Sequence, residues 1–158
     1  MKLKSIYEEI KTDGTEKYYH GTPNEHQFDT SGYMANGTFF SKSKDVARHY
    51  GKFVYEVTLK SGLKIFDVLN REDVADLMSE FPELYDTYYN EDEEGYLITT
   101  PEQLMNSSDP WKPIEDTDGV LDYLNDHYDG ARILEGGAED NLLLFSPVKD
   151  KMLNVGRI

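Results

Sequence analysis

Residues 37–59 read GTFFSKSKDVARHYGKFVYEVTL, and the stretch KYYHGT stands upstream of them at 17–22. Their order decides the fold class. Gly37, Thr38, Phe39, Phe40 and Ser41 form a short aromatic run that reads as a strand. Ser43 is a helix-capping side chain, and Val46, Ala47 and Tyr50 fall on one face of a helix running from it to Tyr50. Gly51 stops that helix. Phe53, Tyr55, Val57 and Leu59 then alternate with Val54, Glu56 and Thr58, the period of two of a sheet with one buried face. Upstream, Lys17, Tyr18, Tyr19 and His20 read as a short strand closed by Gly21 and Pro23. The residues between, 23–37, are rich in Gly, Ser, Asn and Thr and read as a loop.

Outward from this block the pattern changes. Residues 1–17 read as a short polar element and a turn. Ser61 and Gly62 turn the chain into an extended piece at 63–68. Val74, Leu77, Met78 and Phe81 have helical spacing and predict a helix over 71–89, with a break near Pro82. Residues 90–95 read as an acidic loop, and 99–110 hold a short helix around 102–105. A helix is expected over 114–127, with Val120, Leu121 and Leu124 inward. Asp129 and Gly130 turn into a strand at 131–135, and Gly136 and Gly137 connect it to the apolar run 141–145, a buried strand. No repeat, low-complexity tract or long linker divides the chain. Strands, a helical middle, then a helix and two strands make one α+β domain over 1–158.

Composition narrows the function classes. The chain has 158 residues, enough to bury a core, and its aromatic content of 13% is too high for a disordered chain. No apolar stretch is long enough for a membrane span, so no membrane partner is expected. The start, MKLKSIYEEI, lacks the apolar core of a secretory signal, which favours a cytoplasmic protein. The absence of cysteine excludes disulfides, thiolate metal sites and cysteine nucleophiles. A net charge of −15 repels a phosphate backbone and disfavours nucleic acid. A monomer is expected.

Tyr19, His20, Gly21 and Thr22, the strand at 37–41, the helix to Tyr50 and the strand at 53–59 together resemble the N-terminal half of the ADP-ribosyltransferase superfamily. The pattern is similar to the branch shared by diphtheria-type toxins and poly(ADP-ribose) polymerases, and the length to small phage-encoded members, some of them anti-defence proteins. In that family a strand ends in His-Gly, a second strand reads Gly-x-Tyr-Phe-Ala/Ser, and a Tyr follows nine residues later. Here Phe39 replaces the usual Tyr, and Ser41 plus nine is Tyr50. A Ser often found three residues before that Tyr is Ala47 here. The segments at 128–133 and 142–147 resemble the closing strands.

The resemblance implies an ADP-ribosyltransferase-like fold: two small, packed, mainly antiparallel sheets around an NAD cleft, with a helical, acidic insertion at about 66–127. It implies NAD as substrate, with no metal, bound by His20, Gly21, Thr22, Phe39, Phe40, Ser41 and Tyr50. His20 would hold a ribose hydroxyl, a positioning part of the catalytic set, and Gly21 would hold the carboxamide through its backbone. The family's catalytic acid opens the last strand, which is Asn141 here. Glu135 and Glu139 are therefore the two carboxylates expected to take that role, with Asp140 ranked below them. The implied activity is mono-ADP-ribosylation of a protein acceptor, of basic character given the charge, in the host cytoplasm for a phage effector. An NAD glycohydrolase and a catalytically inactive binding or inhibitor module are the alternatives.

The chemistry suits these residue types. Cleaving the nicotinamide–ribose bond builds positive charge on the ribose, which a carboxylate stabilises. A stacked ring orients planar nicotinamide, the role of Tyr50. A residue without a side chain permits close approach, the role of Gly21. Other chemistries lack their residues. There is no phosphate-binding Gly-Lys-Ser/Thr loop, and the Asp-Thr-Asp-Gly run at 116–119 lacks the later ligands of a calcium loop. No Glu/Gln-x-Glu pair precedes the last strand, which argues against an arginine acceptor. His26, His49 and His127 read as surface residues.

Overall fold

Ten strands and five α-helices are found among the described residues of a computed structural model. The structure describes residues 11–25, 28, 37–84, 87–89, 96–98, 100–107, 110–135 and 139–158; at 87–89, 96–98, 134–135 and 139–140 the description is of the backbone. The order is β1 (Lys11–Asp13), β2 (Lys17–Thr22), β3 (Gly37–Ser41), α1 (Lys44–His49), β4 (Phe53–Leu59), β5 (Ser61–Asp67) and α2 (Arg71–Glu80). It continues with β6 (Thr87–Tyr89), β7 (Tyr96–Ile98), α3 (Pro101–Met105), α4 (Trp111–Asp116), α5 (Val120–His127), β8 (Gly130–Glu135), β9 (Glu139–Phe145) and β10 (Met152–Arg157).

Eight strands form one sheet in the order β1-β5-β8-β9-β3-β2-β4-β10, and β6 with β7 forms a separate ribbon. Its pairings are antiparallel except β5 with β8. This corrects the expectation of two packed sheets. Alternation along β9 shows why. Leu143 and Phe145 join one cluster with Phe66, Ala131 and Ile133, while Leu142 and Leu144 join another with Phe40, Val57 and Leu59. Val57 and Leu59 lie on β4, separated from β9 by β3 and β2 in the order. A single sheet therefore curls until its own strands pack against each other, and β9 is buried on both faces. Each such fully buried Leu or Phe contributes roughly 1.5–3 kcal/mol.

The first cluster is completed by the middle of the chain. Val74, Leu77 and Met78 of α2, Leu104 of α3, Trp111 and Ile114 of α4, and Val120 and Leu124 of α5 share it with the sheet. Helices α2, α3, α4 and α5 are thus built into the main core.

Two helix expectations need revision, and one strand is additional. The helix expected over 71–89 ends at Glu80, because Pro82 disfavours the helical conformation at Phe81 (φ −124°, ψ 82°). Pro82–Leu84 forms a short 3-10 turn, and Thr87–Tyr89 is strand. The helix expected over 114–127 is two helices, separated at Gly119, whose φ of 83° no helix accommodates. Strand β10, which the sequence did not announce, covers the free edge of β4. The loops at 90–95 and 136–137 lie outside the described residues.

Candidate functional site

The site begins with an incomplete ladder. β2 pairs with β4 along its length, from Lys17 opposite Thr58 to Thr22 opposite Phe53. β3 pairs with β9 along its length, from Gly37 opposite Phe145 to Ser41 opposite Asn141. Between β2 and β3 the registered pair is Tyr19 with Ser41. Beyond it the two strands part, and a cavity of about 420 Å³ opens there, within the small-molecule range. Tyr19, His20, Gly21, Phe39, Phe40, Ser41, Ala47 and Tyr50 line it.

His20 bridges the parting strands. Its Nδ1 lies 2.8 Å from the carbonyl oxygen of Phe39, so that nitrogen is the donor. Its ring meets Phe40 at 5.6 Å and Phe28 edge-on at 5.5 Å. Phe28 is a residue the sequence did not single out. It is buried, stacks on Phe40 at 6.0 Å and meets Tyr55 at 5.4 Å, from a backbone with φ of 60°. A Phe tolerates that left-handed conformation only where its surroundings hold it.

Helix α1 forms the other wall. Ser43 Oγ accepts the Val46 N–H at 3.2 Å, as its capping type predicted. Ser41 Oγ accepts the Ser43 N–H at 3.0 Å, so this hydroxyl helps to start the helix while lining the cavity. A Cβ added at Gly21 would overlap the Ala47 carbonyl oxygen. The glycine is therefore needed for the helix to lie against β2, where the sequence reading had reserved the space for a ligand. Tyr50 ends α1 and is 57% exposed, which makes it a wall of the opening and not a core residue.

Two polar side chains in the lining stand out. Thr38 is 1% and Asn141 6% exposed, and neither Thr38 Oγ1 nor Asn141 Oδ1 has a hydrogen-bond partner. Leaving a buried polar atom unsatisfied costs about 1–3 kcal/mol. A ligand with hydroxyl or amide groups would satisfy both. The cavity thus offers a partly polar guest mostly apolar walls and two polar atoms without partners.

Glu115 of α4 also lines the cavity. The sequence reading missed it because it sits in the middle segment, far from the motif. Glu135 and Glu139 form the last registered pair of β8 and β9, two positions beyond Ile133 and Asn141. Their side chains lie outside the described residues, as does that of Asp140. Thr22, named with the NAD ligands, is not part of the lining; it ends β2 opposite Phe53. His49 and His127 are exposed, and His26 lies outside the described residues. Among the described residues no group of three His, Asp or Glu could hold a metal, and no helix is long and apolar enough to cross a membrane.

No family model matches the chain, and no curated protein does. Among solved structures, a crystal structure of an anti-CRISPR protein is similar at 14% identity, covering 90% of this chain and 94% of that one with a TM-score of 0.48. A likeness of that size does not define a class of protein.

Proposed function

We propose that this chain binds NAD in the cavity between β2 and β3 and is a mono-ADP-ribosyltransferase acting on a protein. The observation that carries the reading is convergence. Six of the seven residues assigned to NAD from the sequence, all but Thr22, line one cavity together with two buried polar atoms that lack partners. Tyr50 stacks on the nicotinamide ring, and His20 and Phe39 hold the ribose side. A carboxylate beside the ribose stabilises the charge that develops as nicotinamide leaves. The net charge of −15 favours a basic protein acceptor.

One observation favours a second reading. Asn141 is an amide at the strand position where the resemblance expects an acid, and it lines the cavity. An amide cannot balance a positive charge as a carboxylate does, so an NAD-binding module without turnover is the alternative.

Incubation with NAD labelled on the adenylate and a host-cell lysate separates the readings. Label on one protein band supports the transferase. Free nicotinamide without protein label supports a glycohydrolase. A thermal shift with NAD but no nicotinamide leaves the binding module. No thermal shift and no nicotinamide overturns all three.

A further inference from the structure

We infer that Glu115 is the catalytic carboxylate of this cavity, supplied by α4 instead of by the closing strands. The inference rests on the NAD reading above. Its own basis is placement. Glu115 is the one carboxylate that lines the cavity among the residues whose side chains are described, and Asn141 lines the same space. The amide comes to this site from strand β9 and the carboxylate from helix α4.

The delivery of Glu115 follows from helix geometry. Trp111 and Ile114 of α4 are buried in the main core, at 1% and 0% exposure. Glu115 stands four residues after Trp111 and one after Ile114, so it shares the anchored side of the helix with Trp111. Lys112 and Asp116 pair with each other at 3.3 Å. The helix is fixed through its apolar side chains, and Glu115, half-buried, stands at the margin of that anchored face.

The reaction assigned to Glu115 balances without a redox step. The bond from the ribose C1′ to the pyridinium nitrogen breaks, and its electron pair goes to nitrogen, so nicotinamide leaves neutral. Positive charge on the ribose is stabilised by the Glu115 carboxylate. The acceptor X–H bonds through X to C1′, and its proton passes to Glu115 and then to water. With water as X–H the product is ADP-ribose.

The test compares Glu115→Gln with Glu135→Gln and Glu139→Gln, using NAD itself as the probe. Nicotinamide release and the NAD-induced thermal shift are measured for each. Loss of about 10²–10³-fold in release by E115Q, with the thermal shift kept, supports the assignment. A flattened acid limb in the pH profile of E115Q supports it independently, since a structural role would lower the rate at every pH alike. Release by E115Q within a few-fold of the parent overturns the assignment and leaves NAD binding intact. So does a parent that binds NAD without releasing nicotinamide. A parent with neither shift nor release overturns the NAD reading and this inference with it. If E115Q melts early, Glu115→Asp is measured in its place: it keeps the charge, and full inactivity together with an unfolding midpoint matching E115Q marks a structural role and overturns the assignment.

Discussion

The Nδ1 nitrogen of His20 donates to the carbonyl oxygen of Phe39, at 2.8 Å, across the place where β2 and β3 separate. A side chain here does what the next rung of the ladder would do. His20→Ala removes that bridge and the imidazole wall. Its cost to folding is about 1 kcal/mol, or a fall of roughly 2–4 °C in melting temperature. On the proposed NAD reading it also weakens binding at least about tenfold, read by titrating the NAD-induced thermal shift; an unchanged shift would remove His20 from the site.

Gly21 is required by Ala47. Gly21→Ala pushes a methyl group into the Ala47 carbonyl oxygen, so α1 must move off β2. The expected loss is about 3 kcal/mol or more by urea unfolding. Gly156, which has nothing within 4 Å, is the control, and its change to Ala stays within about 1 kcal/mol.

Thr38 carries a hydroxyl without a partner at 1% exposure. Thr38→Val removes the buried polar atom and keeps the shape. The unliganded protein gains about 1 kcal/mol in stability, while the increment in unfolding midpoint added by saturating NAD shrinks. A variant less stable than its parent would show that the hydroxyl is satisfied in the free protein.

Trp111 is buried at 1% exposure, and its indole Nε1 has no hydrogen-bond partner. Trp111→Ala opens a void in the main core at a cost of about 3–5 kcal/mol. Trp111→Phe keeps most of the ring and discards the unsatisfied donor, so its loss is smaller, below about 2 kcal/mol. The same helix carries Glu115, so on the proposed role of that carboxylate W111F also lowers nicotinamide release without lining the cavity, a coupling read by comparing the two variants at equal folded fraction.

Lys151 gives a pH dependence. Its Nζ donates to the carbonyl oxygens of Phe145 at 2.7 Å and Asp129 at 3.0 Å. Burial lowers its pKa below the ordinary 10.5, against the opposing pull of Asp129 and Asp150. Between the lowered value and 10.5 the unfolded chain holds more protons than the folded one, so this group's contribution to stability rises with pH in that window. The difference in urea midpoint between the parent and Lys151→Met should therefore increase with pH on the alkaline side up to 10.5. A flat or falling difference contradicts the direction.

The α+β class, β3, α1 and β4 were legible because each rests on a local signal. The period of two in Phe53–Leu59 and the Ser43 cap need no distant partner. The convergence of His20, Phe39 and Tyr50 was legible only through the family resemblance, since each residue taken alone reads as structural. Phe28 and Glu115 were not, because each takes its place through tertiary packing: Phe28 against His20 in a cluster with Phe40 and Tyr55, Glu115 at the cavity through the anchoring of Trp111 and Ile114. The single curled sheet was also hidden. Nothing local tells Leu142 that it will meet Val57.

The ladder between β2 and β3 stops after one registered pair, and this has a thermodynamic corollary. A guest in the gap serves as the missing rungs and cross-links the two halves of the sheet. Ligand affinity and resistance to local unfolding then become one quantity seen from two sides. Amide exchange at Gly21, Phe39 and Phe40 should slow in proportion to occupancy, while amides at the β8–β9 pairing, already held on both faces, barely respond.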